Sequence, residues 1–385
     1  MNLDPSEEQR LLADSIARFV ERDYTFERRR AIVASSQGWS AEVWQTLAEL
    51  GLLGLPLPAE HGGFGGGALD ASGLMAAIGA ALIVEPWLPT VALGAQFIAR
   101  GGSDEQKKRV LPAVAAGSAT LALAHAEADA RYDLARVVTR AQPDRGGYRL
   151  TGVKRAVAHA SAADLLVVSA RESGNDADRD GIGLFLVERD APGVKLSPLR
   201  MLDGGRAADV VLDGIAVAPE ARIGQPGRAL PLIEEVIDFA TALVCAEAVG
   251  AIESANTATL EYLKTRRQFG VPIGSFQALQ HRMVDLTIEY EQAKSIALLA
   301  CSAVDTERDA AARARTVSAA KFRIADACRK VSQESVQLHG GMGMSDELKL
   351  SHTFRRLTAI AQQFGDADHH LERFAALSGT SPKHE

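Results

Sequence analysis

The sequence predicts a mainly α-helical protein with a central β-domain, and three observations carry that prediction. Up to about residue 119 the chain shows short, alanine-rich stretches with apolar residues at helical spacing. From Leu121 to about Val217 the apolar runs shorten to strand length and turn residues separate them. From residue 231 onward long helical patterns return, joined by short turns. The expected plan is an N-terminal helical domain (1–119), an antiparallel β-barrel or sandwich (120–228) and a C-terminal four-helix bundle (229–385).

The whole chain sets bounds first. Its 385 residues are 47% hydrophobic and 24% charged, as in a globular protein with a sizeable core. Net charge is -7 with no basic block, which argues against nucleic acid as a partner. Cys245, Cys301 and Cys328 are far apart in sequence and match no metal or disulfide spacing, so they read as buried thiols in a reducing compartment. The polar start MNLDPSEEQR does not look like a signal peptide, and no apolar run is long enough to span a bilayer. A cytoplasmic protein without a membrane partner is expected.

Taken in order, Ser6 followed by Gln9 reads as a helix cap, with Leu11, Leu12, Ile16, Phe19 and Val20 on one face. Shorter helices are expected at 40–50, 70–83, 88–100 and 103–115. The glycine-rich run His61–Gly67 follows no clear strand, so it reads as a flexible connection rather than a phosphate loop. Strands are expected at 137–139, 148–151, 164–168, 183–187 and 209–212, with 173–180 as a polar hairpin tip. The long helices are expected at 231–267, 275–303, 308–338 and 346–376, the third ending in His339-Gly340-Gly341.

One residue breaks the pattern of the first long helix. On a wheel centred on Ala240, Ile233, Val236, Ile237, Leu243, Val244 and Ala251 fall within about a third of a turn. Glu247 falls inside that apolar stripe. A buried carboxylate is costly unless paired, and an apolar setting makes a carboxylate more basic, as proton abstraction requires. Small neighbours (Ala246, Ala248, Gly250) leave room beside it.

Two longer motifs follow: Arg266-Arg267-Gln268-Phe269-Gly270-Val271-Pro272-Ile273-Gly274-Ser275-Phe276-Gln277, and Gln337-Leu338-His339-Gly340-Gly341-Met342-Gly343. On these motifs, and on its helix–β–helix order, the chain resembles the flavin-dependent acyl-CoA dehydrogenases along nearly all its length. The ending Phe364-Gly365-Asp366-Ala367-Asp368-His369-His370 resembles the small subunits of two-subunit members, such as pimeloyl-CoA dehydrogenases and actinobacterial steroid side-chain enzymes. The resemblance implies FAD, held by Arg266, Gln268, Phe269, Gln277, Gln337, Gly340 and Gly341. It implies an acyl-CoA substrate oxidised to the trans-2-enoyl-CoA, and electron-transfer flavoprotein as acceptor. It also implies a homo-oligomer, or a heterotetramer with a second subunit of the same family. No metal is expected, and His339, His369 and His370 read as flavin-edge, interface or surface groups.

Departures from the family pattern matter as much. The family's Thr-Glu-Pro-x-Ala-Gly-Ser-Asp run corresponds here to Ala126-Glu127-Ala128-Asp129-Ala130-Arg131-Tyr132-Asp133, and its Trp-Ile-Thr segment to Ala156-Val157-Ala158. The usual catalytic Glu of the last helices is replaced by Phe364, and the alternative position by Ala240. Glu247 lies two turns beyond Ala240, about 10 Å along the helix axis, and is the expected base; the alternative is a structural carboxylate paired with an Arg or Lys of a neighbouring helix or serving a subunit interface, and Asp366 is a lesser candidate for the base. The competing expectation is a non-catalytic subunit that completes the FAD and acyl-CoA sites of a partner chain.

Overall fold

The computed structural model describes residues 7–379, with side chains from residue 14 onward. The Ser6 cap and the side chains of Leu11 and Leu12 lie outside the described residues. Helices α1 (Glu7–Asp23) and α2 (Phe26–Ala34) open the chain. The second was not foreseen, because Phe26-Glu27-Arg28-Arg29-Arg30 hides its apolar face. Helix α3 (Ala41–Glu49) begins where Ser40 Oγ accepts from Val43 N at 3.2 Å. Helix α4 (Ala68–Ala81) follows. A π-type stretch, Leu88–Gly94, then runs into α5 (Ala95–Gly101). Helix α6 (Asp104–Ala115) starts with a capping box between Ser103 and Gln106. The glycine run is packed rather than flexible. Phe64 N, Gly65 N and Gly66 N donate to the carbonyls of Gly54, Leu57 and Leu55, so those amides are already used.

Eight strands form one sheet: β1 (Leu121–Ala124), β2 (Arg140–Asp144), β3 (Gly147–Ala158), β4 (Leu165–Arg171), β5 (Ile182–Glu188), β6 (Val194–Arg200), β7 (Arg206–Val217) and β8 (Arg222–Ile223). The order is β6-β7-β3-β2-β4-β5-β8, with β1 also on β4. Two pairings, β1 with β4 and β2 with β4, are parallel, which corrects the purely antiparallel expectation. The chain leaves β1 and returns to β4 through the β2–β3 hairpin, so β4 runs in the same direction as both. Among the described residues no pairing joins β6 to β8, so the sheet does not close into a barrel. Residues 137–139, expected as a strand, are irregular, and β2 starts at Arg140. Leu150, Leu166, Val168, Phe185, Val210 and Leu212 fill the core against this sheet.

The C-terminal helices are α7 (Leu230–Thr265), α8 (Gln277–Thr306), α9 (Ala310–His339), α10 (Lys349–Gln362) and α11 (Ala367–Leu377). A two-residue hairpin, β9 (Arg267–Gln268) and β10 (Val271–Pro272), joins α7 to α8. The fourth helix, expected as one piece over 346–376, is broken at 363–366. There Phe364 takes φ 61° and Gly365 φ 128°, and the fully buried Lys321 donates to the carbonyls of Gly365 (2.7 Å) and Ala361 (3.3 Å). The break is therefore held from inside.

By contacts the chain divides into two units. One comprises residues up to 31, 67–83 and 241 onward; the other comprises 32–66 and 84–240.

Candidate active site and cofactor-binding turn

Glu247 lies in α7, where α4 crosses it backbone to backbone. A methyl group at Gly79 would stand 2.0 Å from the Glu247 carbonyl oxygen, and one at Gly250 would stand 1.8 Å from that of Ala76. Only glycine allows this approach. The carboxylate is buried, with 3% of the residue exposed. It is also paired: Arg356 of α10 donates from Nε at 2.6 Å and from Nη2 at 2.8 Å. The sequence held a signal for Arg356, which shares the buried face of α10 with Thr353, Leu357 and Ile360. An arginine in that stripe calls for a buried acid, yet nothing local says that the acid lies on α7. Asp366, the lesser candidate, serves as the N-cap of α11, its Oδ1 accepting from His369 N at 2.9 Å.

The expected cofactor residues gather at a different place. Helices α7 and α9 both end at one extremity of the bundle, where the rings of Tyr262 and His339 stack at 4.3 Å. Along α7 this lies roughly 22 Å from Glu247, at fifteen residues of ~1.5 Å rise. Arg266 follows the last turn of α7; its carbonyl accepts from Ile273 N at 2.8 Å, which closes the hairpin. Gln268 and Gln277 are exposed, and so is Gln337, whose carbonyl accepts from Gly340 N. Phe269, 90% exposed and at φ 54°, meets Phe276 edge to face at 6.2 Å. Gly340 takes φ 60°, and a side chain at Gly340 or Gly341 would meet nothing within 4 Å. Met342 and Met344 stand exposed beside them. The turn thus offers a guanidinium, amides, an aromatic face and open backbone, and it leaves large apolar groups uncovered by its own chain.

His339 is buried, its Nδ1 on the Ser335 carbonyl at 2.8 Å. His370 is buried too, with Nε2 on the Phe364 carbonyl at 3.1 Å, and burial pushes its imidazole down to about 3. Of the three places expected for these rings, flavin edge, interface or surface, burial rules out the surface for His339 and His370. Burial pushes the Cys245 and Cys328 thiols up to about 12, so both are inert neutral groups at neutral pH.

In the β-unit the matched acidic residue is committed internally. Glu127 Oε1 accepts from Lys154 Nζ at 2.6 Å and from Thr139 Oγ1 at 2.7 Å. Lys154 is fully buried, and burial brings its ammonium down to about 8 despite the Glu127 charge beside it. The Ala156-Val157-Ala158 segment carries a bulge in β3, with Ala156 at φ 47° and its N–H on Asp209 at 2.9 Å.

Comparison with known proteins gives a consistent result. Family models described as the N-terminal, middle and C-terminal domains of acyl-CoA dehydrogenase match residues 6–118, 122–214 and 228–376. The chain is 31% identical to the acyl-CoA dehydrogenase FadE12 of Mycobacterium tuberculosis, over 92% of each chain. Among solved structures it is similar to a variant of the Tcur3481-Tcur3483 steroid ACAD (32% identity, 97% of this chain and 98% of that one, TM-score 0.86). It is also similar to the FAD complex of PigA (26%, 99% and 100%, TM-score 0.90).

Proposed function

The chain belongs to the acyl-CoA dehydrogenase family, and from that premise we propose that it binds FAD and removes the α-proton of an acyl-CoA thioester with Glu247 as the base. The bound FAD supplies the acceptor for the hydride that leaves the β-carbon. The observation that carries the reading is a buried carboxylate on α7, set among alanines at a backbone-to-backbone helix crossing. A base needs a fixed position and a water-poor setting more than it needs mobility.

The turn at the end of α7 and α9 fits the cofactor. Arg266 would give planar donors to a phosphate, Phe269 an apolar face, and Gln268, Gln277 and Gln337 hydrogen bonds. Gly340 and Gly341 would let backbone amides approach closely. Because these groups face away from their own chain, a neighbouring subunit is the natural second wall of the site. The substrate class proposed is a fatty, dicarboxylic or sterol side-chain acid as its CoA thioester, with electron-transfer flavoprotein as acceptor.

The experiment is an anaerobic titration of the flavin absorption with a panel of acyl-CoAs, for the wild type and for Glu247→Gln. A wild type that bleaches and a variant that stays yellow support the base; a yellow variant that bleaches at the wild-type rate overturns it. The second reading, a subunit that acts only with a partner chain, is favoured by the exposed Phe269, Met342 and Met344. A chain purified alone that binds no flavin, but gains it on co-expression with a second subunit, would support that reading.

A further inference from the structure

Glu247 meets its partner in a forked grip that fills one lone pair on each carboxylate oxygen. A guanidinium so placed favours the charged form of any carboxylate and so opposes an arriving proton. The two partners differ in freedom. The close approach of α4 at Gly79 and Gly250 fixes the α7 backbone on either side of Glu247 in sequence. Arg356 has a long side chain, 20% exposed against 4% for that of Glu247. A second acceptor stands within reach: Gln363 Oε1 lies 3.5 Å from Arg356 Nη2. Gln363 sits at the break between α10 and α11, directly before Phe364, and Lys321 clamps that break through the Gly365 carbonyl. The stationary member is therefore the acid, and the member with somewhere to go is the arginine.

We propose that Arg356 is a positioning residue that latches Glu247 in the resting protein and turns one N–H toward Gln363 to free an oxygen for the substrate's α-proton. This rests on Glu247 being the base. The latch leaves the chemistry balanced: the α C–H bond breaks with its proton going to the freed oxygen, and the β C–H pair leaves as hydride to oxidised FAD. The electrons of the α C–H bond form the double bond. Cys328 of α9 also lies beside Glu247, and burial keeps its thiol neutral up to about 12; α4 meets Glu247 with the backbone at Gly79.

The test compares wild type, Arg356→Gln, Arg356→Lys, Gln363→Leu and Glu247→Gln as FAD-loaded proteins, in the assembly in which the wild type is active. Rapid anaerobic flavin bleaching is followed across pH. In Arg356→Gln bleaching at saturating substrate should slow several-fold with KM unchanged, because the acid loses its positioning partner; Arg356→Lys should restore it. Gln363→Leu should slow bleaching several-fold at saturating substrate with KM unchanged. Should Arg356→Gln fail to fold, Gln363→Leu and Arg356→Lys decide. Wild-type rates in the folded Arg356→Gln and Gln363→Leu variants overturn the latch. A Glu247→Gln protein that bleaches normally overturns the base itself, so the two failures are distinct.

Discussion

Acidification should weaken the clamp at the α10–α11 break. His370 is buried there, and burial, reinforced by the charges of Lys321, His369 and Arg373, holds its imidazole neutral down to about 3. In the unfolded chain a histidine takes up its proton near pH 6.5. Between those values the unfolded state binds the extra proton, so stability is lost as pH falls. From pH 7 to pH 5 the loss attributable to His370 is roughly 2 kcal/mol. His370→Gln keeps a donor for the Phe364 carbonyl and removes the titrating ring. Urea unfolding of both proteins at pH 7 and pH 5, followed by far-UV circular dichroism, measures the difference. Carboxylates common to both proteins cancel in that comparison. The variant should lose roughly 2 kcal/mol less than the wild type over the interval. Equal losses would refute the argument, because they would mean that the ring titrates alike in both states.

Two further substitutions test the packing. Gly250→Ala would put a methyl group 1.8 Å from the Ala76 carbonyl oxygen, so α4 and α7 must part. A destabilisation of about 3 kcal/mol, read as a lowered melting temperature, is expected, at the upper end of overpacking costs. Arg171, fully buried, donates to the carbonyls of Ala135, Val137, Asp176, Asp178 and Asp180. Arg171→Lys has only three donors, so at least two carbonyls lose their bond at roughly 1–3 kcal/mol each. Limited proteolysis should then nick residues 173–180 faster than in the wild type.

Much of the molecule was legible along the chain. The helix–sheet–helix order followed from periodicity, because the period of apolar residues is a local property. The α7 anomaly was legible for the same reason, since a charge inside an apolar stripe needs no partner to be noticed. The break at Phe364 was not: only the Lys321 ammonium and the His370 ring, contributed by other helices, hold that backbone in its strained form. The parallel pairings of β4 were also hidden, since strand direction depends on where the chain returns. By itself, then, the sequence determined the order of helical and β stretches, the family motifs and an acid set in an apolar face. Tertiary structure alone decided that this acid lies in the fork of Arg356 and that both motifs converge at one end of the bundle. Those facts depend on residues 109 and about 75 positions apart meeting in space, which no local pattern encodes.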